Sequence, residues 1–170
     1  SNGPWEARKQ WGIDDLNWTY MLVQGVHLVD IARHFMGEIV DVNSVEHISR
    51  KGRPAFSVAV RFESGAIGSM NFNASSPNWR TTIDIIGDNN SSVSINNGMT
   101  LKYENIDNWS NKFNFNDSVL SRSYESGTNY NSKPSFGYLG ELEHFAKSIL
   151  NSKQPHPSLY DEYRALKVSE

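Results

Sequence analysis

The stretch TYMLVQGVHLVDIARHFMG, residues 19–37, decides how the rest of this chain is interpreted. At about 100° per residue, its apolar side chains gather on one side of a helix. They are Met21, Leu22, Val26, Val29, Ala32 and Met36. The opposite side carries His27, Asp30 and His34, with Val23 one turn before His27. The pattern predicts a helix that buries one face and presents two imidazoles and a carboxylate on the other.

Length and composition restrict the classes of protein to which the chain can belong. The 170 residues favour one domain, and 38% apolar with 12% aromatic residues predict a globular fold. A net charge of −3 gives no electrostatic case for nucleic acid. The absence of cysteine excludes disulfides, thiol catalysis and thiolate metal sites.

Neither a membrane-spanning apolar run nor a signal peptide is visible, and we expect a cytoplasmic location. Residues 1–2 are interpreted as an expression scar, and residues 3–170 as a single domain taken from a longer protein.

Strand patterns follow the helix. Residues 39–48 are apolar and partly β-branched, and residues 56–62 alternate with a period of two, which predicts one buried face. Further strands are predicted at 66–74, 81–86, 92–95 and 99–103, the last two joined by a tight turn at Asn96-Asn97-Gly98. Short turns between successive strands indicate antiparallel neighbours.

The last third of the chain begins with an unusual segment. Residues 105–136 are rich in Asn and Ser but carry six aromatic side chains, so we expect an ordered excursion, with one irregular strand or a surface that orders against a partner. Helical spacing returns at 138–150, with Leu139, Leu142, Phe145, Ala146 and Ile149 predicted to face inward. Ser158 then caps a final helix from Leu159.

These elements predict an α+β fold, an open and mainly antiparallel β-sheet with helices packed on one face. Nothing in the sequence is left to cover the other face, which we expect to contain Ala, Gly and Met positions. A second copy is the simplest cover, so a homo-oligomer through the open sheet face is expected.

The helix also resembles a known family. Gly25-Val26-His27-Leu28-Val29-Asp30, followed by Ala32-Arg33 and Gly37, is similar to the C-terminal domain of the Gfo/Idh/MocA oxidoreductases. The similarity continues in Phe62-Glu63-Ser64-Gly65-Ala66-Ile67-Gly68, Ile85-Ile86-Gly87, Gly137-Tyr138 and 141–145, and closes with Pro157-Ser158-Leu159 and Ala165-Leu166-Lys167. The order and spacing of these motifs carry the resemblance.

The resemblance implies a two-domain enzyme. An N-terminal Rossmann domain would bind NAD or NADP, and the present half would supply the substrate wall and the oligomer contact. The glycine fingerprint of a dinucleotide site does not occur here, so no cofactor-binding residue is assigned to this chain. A lysine that the family places near the substrate also belongs to the other half, and this chain alone is expected to be inactive.

The resemblance places the histidine that matches His27 beside the nicotinamide and the reacting substrate carbon. Oxidation of an alcohol needs a base for the hydroxyl proton, and imidazole titrates near neutral pH. Many members carry an aspartate one turn before this histidine, where the present chain has Val23. Either His27 acts with the distant lysine alone, or the activity has changed or been lost.

Other candidate site residues are supported by fewer observations. The candidate substrate-binding residues are Trp79, Arg80 and Gln24. Trp79 could equally be an aromatic residue at the edge of a strand, and Arg80 a solvated surface residue. Asp30 is interpreted as structural, bonded to backbone or to Arg33. A divalent metal on His27, Asp30 and His34 is an alternative, but the spacing is unusual and no fourth ligand is evident, so no metal ligand is assigned.

Three functions therefore remain open. The first is the substrate-binding and oligomerisation domain of an NAD(P)-dependent oxidoreductase acting on a sugar, cyclitol or polyol. The second is a non-catalytic, dimerising or sensing descendant, in which Val23 marks lost chemistry. The third is a metal-dependent site on the same face of the helix.

Overall fold

A computed structural model describes residues 12–77, 80–106, 119–125 and 138–170. The chain divides into two compact units. The first comprises Ser1–Pro77 with Gln154–Glu170, and the second comprises Asn78–Lys153.

The predicted first helix is present and begins earlier than its apolar periodicity indicated. It consists of α1 (Leu16–Tyr20), a π-helical turn (Met21–Gly25) and α2 (Val26–Met36). The Asp15 carboxylate caps it, since its Oδ1 accepts the N–H groups of Asn17 at 2.8 Å and Trp18 at 3.1 Å. Gly37, at φ 86°, ends it. The residues at its two ends thus define the helix, whereas apolar spacing does not predict the π turn.

Three antiparallel strands follow in the order β1 (Ile39–Ile48), β2 (Pro54–Phe62) and β3 (Ile67–Asn73). The period of two in β2 has the predicted consequence. Val60 and Phe62 are buried. The alternate positions Ser57, Ala59 and Arg61 are exposed. The register places Val42 of β1 opposite Val60, so one face of this sheet is apolar over its centre.

That apolar face is covered by α2 and by α4 (Leu159–Ser169). Val26, Val29 and Ala165 form the buried centre, and four partly buried side chains pack on it: Ile39, Met70, Leu166 and Val168. The helices α2 and α4 therefore lie on one face of the first sheet, as predicted.

The composition expected for the uncovered face was partly wrong. Met70 packs against the helices, and a Cβ at Gly68 would meet Val60 and Phe62 at 3.3 Å, so both residues lie on the covered face. The open face instead carries small and polar side chains such as Ser57, Ala59 and Ser69. The sequence of a strand does not show which face of the sheet a given residue joins, because the pairing of the strands decides it.

The second unit contains a separate sheet. Its four antiparallel strands lie in the order β4 (Thr82–Ile86), β5 (Ser91–Asn96), β6 (Thr100–Ile106) and β7 (Val119–Glu125). One open sheet was predicted, and the described strands form two. The strand expected within the Asn-rich excursion is β7; residues 107–118 and 126–136 of that excursion lie outside the described residues.

The helix predicted at 138–150 is present as α3 (Tyr138–Leu150), but its predicted inward face is exposed. Leu142, Phe145 and Ile149 are 66%, 53% and 62% exposed, and the buried residue of this helix is Ser148. Periodicity identifies the apolar side of a helix but does not identify the surface that covers it. Of the helices in the described segments, none is long and apolar enough to cross a membrane.

Candidate functional site

His27 is exposed on the first turn of α2, directly after the π turn. Its neighbours Val26 and Val29 are each 3% exposed and point into the core, which turns the imidazole outward. Among the described residues, the imidazole of His27 has no hydrogen-bond partner. The ring is therefore accessible to a ligand and is not held by the fold.

The predicted substrate-binding residues are distributed over different elements. Gln24 is half-buried within the π turn, three residues before His27, and Val23 is half-buried beside it. Arg80 is exposed and belongs to the second unit. Trp79 lies outside the described residues. The structure thus brings His27 and Gln24 onto one helical segment.

The π turn is an irregularity at the position where the candidate site begins. The N–H of Val26 bonds to the carbonyl of Met21, so the turn holds one residue more than an α-helical turn. Gly25 permits this packing because a Cβ there would lie 2.5 Å from the end of the Met21 side chain. Single π turns inside α-helices frequently occur at functional sites. The turn therefore supports a functional role for the His27 segment, and apolar spacing could not have predicted it.

Asp30 contacts Arg33, as the sequence analysis expected. Arg33 Nη1 lies 3.4 Å from Asp30 Oδ1, so this carboxylate faces a guanidinium. Among the residues that the structure describes, no three His, Asp or Glu side chains converge on a possible metal position. The arrangement gives the metal alternative no support.

Arg33 is the charged residue whose importance the sequence did not reveal. It is 7% exposed, and its guanidinium forms a fork on Glu38, with Nη2–Oε1 at 3.0 Å and Nε–Oε2 at 3.2 Å. Its Nη1 also donates to the backbone oxygen of Asp161 at 2.8 Å. Arg164 reaches Glu38 as well, at 3.1 Å. These contacts join α2, the entry to β1 and α4 at one point.

The beginning of α4 is held by a capping box, which confirms Ser158 as its cap. The backbone N–H of Ser158 donates to Asp161 Oδ2 at 2.7 Å, and its hydroxyl donates to the same oxygen at 2.8 Å. These two hydrogen bonds hold the pKa of Asp161 below its ordinary value against a smaller effect of desolvation. His156, whose Nδ1 lies 3.5 Å away, and Arg33 lower it further.

A cleft of about 760 Å³ lies within the first unit, beneath α1, the π turn and α4, and against the covered face of β1–β3. Its apolar lining includes Met21, Val58, Val60 and Phe72. Its polar lining includes Asp15, Asn17, Ser44 and Glu46. His27 does not line it. The sequence analysis did not predict this cleft, because no local motif marks a space enclosed by helices and a sheet.

Comparison with known proteins identifies the fold. The GFO/IDH/MocA C-terminal domain family matches residues 1–93, more than half of the chain. No curated protein matches. Among solved structures, a dehydrogenase from Chromobacterium violaceum is similar with a TM-score of 0.81 at 18% identity, over 96% of this chain and 48% of that one.

Two further structures show how varied the proteins with this fold are. UDP-N-acetylglucosamine 3-dehydrogenase from Acidithiobacillus ferrooxidans has a TM-score of 0.66 at 14% identity, over 85% of this chain and 44% of its own. Biliverdin reductase from Synechocystis sp. has a TM-score of 0.65 at 12% identity, over 96% and 48%. The chain spans about half the length of these proteins. It belongs to the GFO/IDH/MocA C-terminal domain family.

Proposed function

We propose that this chain is the substrate-binding and oligomerisation domain of an NAD(P)-dependent oxidoreductase that acts on a hydroxyl group of a sugar, cyclitol or polyol. The observation that carries the proposal is an exposed histidine, His27, on the helix by which the chain resembles its family. The sugar, cyclitol or polyol class is taken from the family resemblance. Proteins of this fold include a nucleotide-sugar dehydrogenase and a biliverdin reductase, so the fold alone does not select it.

The residues of this chain do not fit a dinucleotide site. The sequence has no Gly-x-Gly-x-x-Gly between a strand and a helix, and the first helix of the described residues is capped by an aspartate. A carboxylate at that position would repel a pyrophosphate. We therefore place the NAD(P) site in a domain outside this chain.

The part of the reaction that this chain can perform is proton transfer. As hydride leaves the carbon of a secondary alcohol, the proton of its hydroxyl group moves to an imidazole nitrogen of His27, and a carbonyl forms. General base catalysis of this kind contributes about 10² to 10⁴ in rate. In the opposite direction, the imidazolium returns the proton to the developing alkoxide. Gln24, close in sequence on the same helical segment, is proposed to donate or accept a hydrogen bond at a second hydroxyl.

The second candidate is a domain without catalytic function, and one observation favours it. Val23 occupies the position at which the family resemblance implies an aspartate, and no described side chain orients the His27 imidazole. Such a protein would bind a nicotinamide cofactor through its other domain without turning over a substrate.

The test uses a full-length protein that contains this domain, assayed for nicotinamide oxidation and reduction against a panel of sugars, cyclitols and polyols. In the oxidoreductase, His27→Ala lowers kcat by about 10²-fold or more, the size of a lost acid–base contribution. His34→Ala, an exposed histidine on the same helix, is the matched control and leaves kcat unchanged. Equal rates for the two variants would remove His27 from the mechanism.

A further outcome separates the two candidates. Binding of NAD(P) without any redox change across the panel would support the non-catalytic descendant. Turnover of a substrate that is not a hydroxyl compound would retain the oxidoreductase class and overturn the proposed substrate.

A further inference from the structure

His27 lies in a row of apolar side chains on the outer side of the first helix. An α-helical turn holds about 3.6 residues, so side chains four positions apart are neighbours on its surface. In α2, the residue four positions after His27 is Ile31, which is half-buried, and the next in the row is Phe35, which is 47% exposed. The imidazole therefore has a hydrocarbon neighbour on its C-terminal side.

The π turn extends this row to the N-terminal side of His27. The turn Met21–Gly25 holds one residue more than an α-helical turn. In a longer turn, the residue four positions before His27 lies closer to its direction than the residue three positions before it. The half-buried Val23 therefore lies beside His27, and Gln24 is turned to one side.

The burial of the residues around the turn supports this geometry. Met21 and Val26 are five positions apart, and an α-helix would direct them about 140° apart. Both are nevertheless buried, with 8% and 3% of their surface exposed, because the additional residue in the turn brings them to the same side. Val23 is the middle residue of the turn, so it is directed away from the core and toward the side of His27.

Apolar side chains on the outer side of a helix indicate that something covers them. A helix that is apolar all round is normally buried, and exposed apolar surface marks sites of binding. Val23 and Ile31 lie on the two sides of the imidazole proposed above to take the hydroxyl proton of the substrate. A further hydroxyl group held against either of them would lose water without gaining a hydrogen bond.

Gln24 is the polar exception beside this row. Its amide offers a donor and an acceptor to one side of His27, enough for one additional hydroxyl group of a substrate. A compound with a hydroxyl group on every carbon would still press others against hydrocarbon. The arrangement thus favours a substrate with few hydroxyl groups near the reacting carbon.

We propose that Val23 and Ile31 select a substrate with methyl or methylene groups close to the reacting carbon, such as a deoxy sugar or a deoxygenated cyclitol. Compounds with a hydroxyl group on every carbon are discriminated against. This inference rests on the proposed function, because it requires that His27 takes the hydroxyl proton, and it narrows the substrate within the proposed class.

The test uses a full-length protein that contains this domain and pairs of related substrates. L-fucose has a methyl group where L-galactose has a hydroxymethyl group, and L-rhamnose and L-mannose differ in the same way. In a third pair, trans-cyclohexane-1,2-diol lacks most of the hydroxyl groups of myo-inositol. In each pair that is turned over, kcat/KM is about tenfold or more higher for the deoxygenated member, the usual effect of an unpaired hydroxyl or a buried methylene.

Val23→Thr is the decisive variant, because it replaces a methyl group by a hydroxyl group at nearly unchanged shape. The hydroxylated substrate gains a partner, so the ratio of the two kcat/KM values falls to near one. Val40→Thr is the matched control, the same substitution on β1 at a side chain that is 59% exposed, and it leaves the ratio unchanged. The ratio compares two substrates of one protein, so a loss of folded protein does not alter it.

The proposal is overturned by a ratio near or below one, by turnover confined to fully hydroxylated compounds, or by a ratio that Val23→Thr does not change. If His27→Ala still lowers kcat in any of these cases, the proposed function stands and only the selectivity fails. Turnover of none of the hydroxyl compounds overturns both.

Discussion

At the scale of single residues, Arg33 is the side chain that most strongly connects the first unit. A buried guanidinium is tolerated only where its donors are matched, and here a carboxylate fork and a backbone carbonyl supply the acceptors. Its partners Asp30 and Glu38 are 38% and 31% exposed, so solvent screens part of the attraction. The main effect of these contacts is to hold α4 against α2. Their net electrostatic contribution to stability is the smaller effect.

Replacing Arg33 by alanine should therefore lower the free energy of unfolding by about 2 to 4 kcal/mol, because a buried pair loses one partner and the oxygen of Asp161 loses its donor. The measurement is urea denaturation followed by circular dichroism. Arg61→Ala removes an exposed ion pair with Asp41 and is the control, with an expected change below about 1 kcal/mol. Equal losses for the two variants would contradict the role of Arg33.

A second residue prediction concerns acid. Because hydrogen bonds from Ser158 lower the pKa of Asp161 in the folded chain, its contribution to stability is complete above the unfolded pKa, about 4. It is lost as the pH falls through the lower, folded pKa. Asp161→Asn should be less stable than the unaltered chain at neutral pH, and this difference should shrink below about pH 4.

Urea unfolding at a series of pH values measures the effect of that substitution. Ser158→Ala removes one of the two donors and brings the folded pKa of Asp161 closer to its unfolded pKa, so the acid-dependent loss of stability should be smaller than in the unaltered chain and complete at a higher pH. Curves for Asp161→Asn and the unaltered chain that stay parallel down to the acid limit would show that this carboxylate has no lowered pKa.

At the scale of elements, the first helix is defined by its two ends. At the start, the Asp15 side chain accepts hydrogen bonds from two backbone N–H groups. At the end, the backbone of Gly37 has φ 86° and ψ −166°, a conformation that only glycine adopts readily. A Cβ at Gly37 would meet nothing within 4 Å. The constraint there is therefore one of backbone conformation and not of space.

Gly37→Ala should accordingly destabilise the chain by about 1 to 3 kcal/mol, the cost of holding alanine in that backbone region. Gly140, inside α3, is the matched control, because a Cβ added there would also meet nothing within 4 Å. Gly140→Ala should raise stability by about 0.5 to 1 kcal/mol, since alanine is the better helix former. Thermal unfolding of both variants distinguishes the two effects by their sign.

At the scale of the whole molecule, the open face of the first sheet bears on the proposed oligomer. Its small side chains, Ser57, Ala59 and Ser69, make a surface that a second sheet could approach closely, while Val45 and Ile67 are 76% and 82% exposed. This face is less apolar than the sequence suggested. We nevertheless propose it as the oligomer contact, because flat sheet faces with exposed apolar residues associate readily.

Light scattering at about ten to one hundred micromolar, above the dissociation constant of a micromolar contact, should then show a dimer or a larger oligomer. Ala59→Arg places a long charged side chain at the centre of the face and should give a monomer. Asp88→Arg, in an exposed turn of the second unit, should leave the assembly intact. A monomer in the unaltered chain would contradict the proposal that this face is the contact.

Periodicity and turn chemistry determined the elements of this protein. The bounds of β1 and α3, the Asp15 cap, the Gly37 stop and the Ser158 cap follow from residues that act on their immediate neighbours. The α+β class followed from their order. His27 could be placed on an exposed face for the same reason, since Val26 and Val29 beside it had to be buried.

Tertiary structure alone decided the features that join distant residues. The pairing of strands placed Met70 on the covered face and divided the strands between two sheets, and neither outcome is encoded within one strand. The burial of Arg33 depends on Glu38 and on the backbone of Asp161, 128 residues away. The cleft likewise arises from α1, α4 and three strands together. Local sequence sets which side of each element is apolar, whereas only the packed chain determines what each side meets.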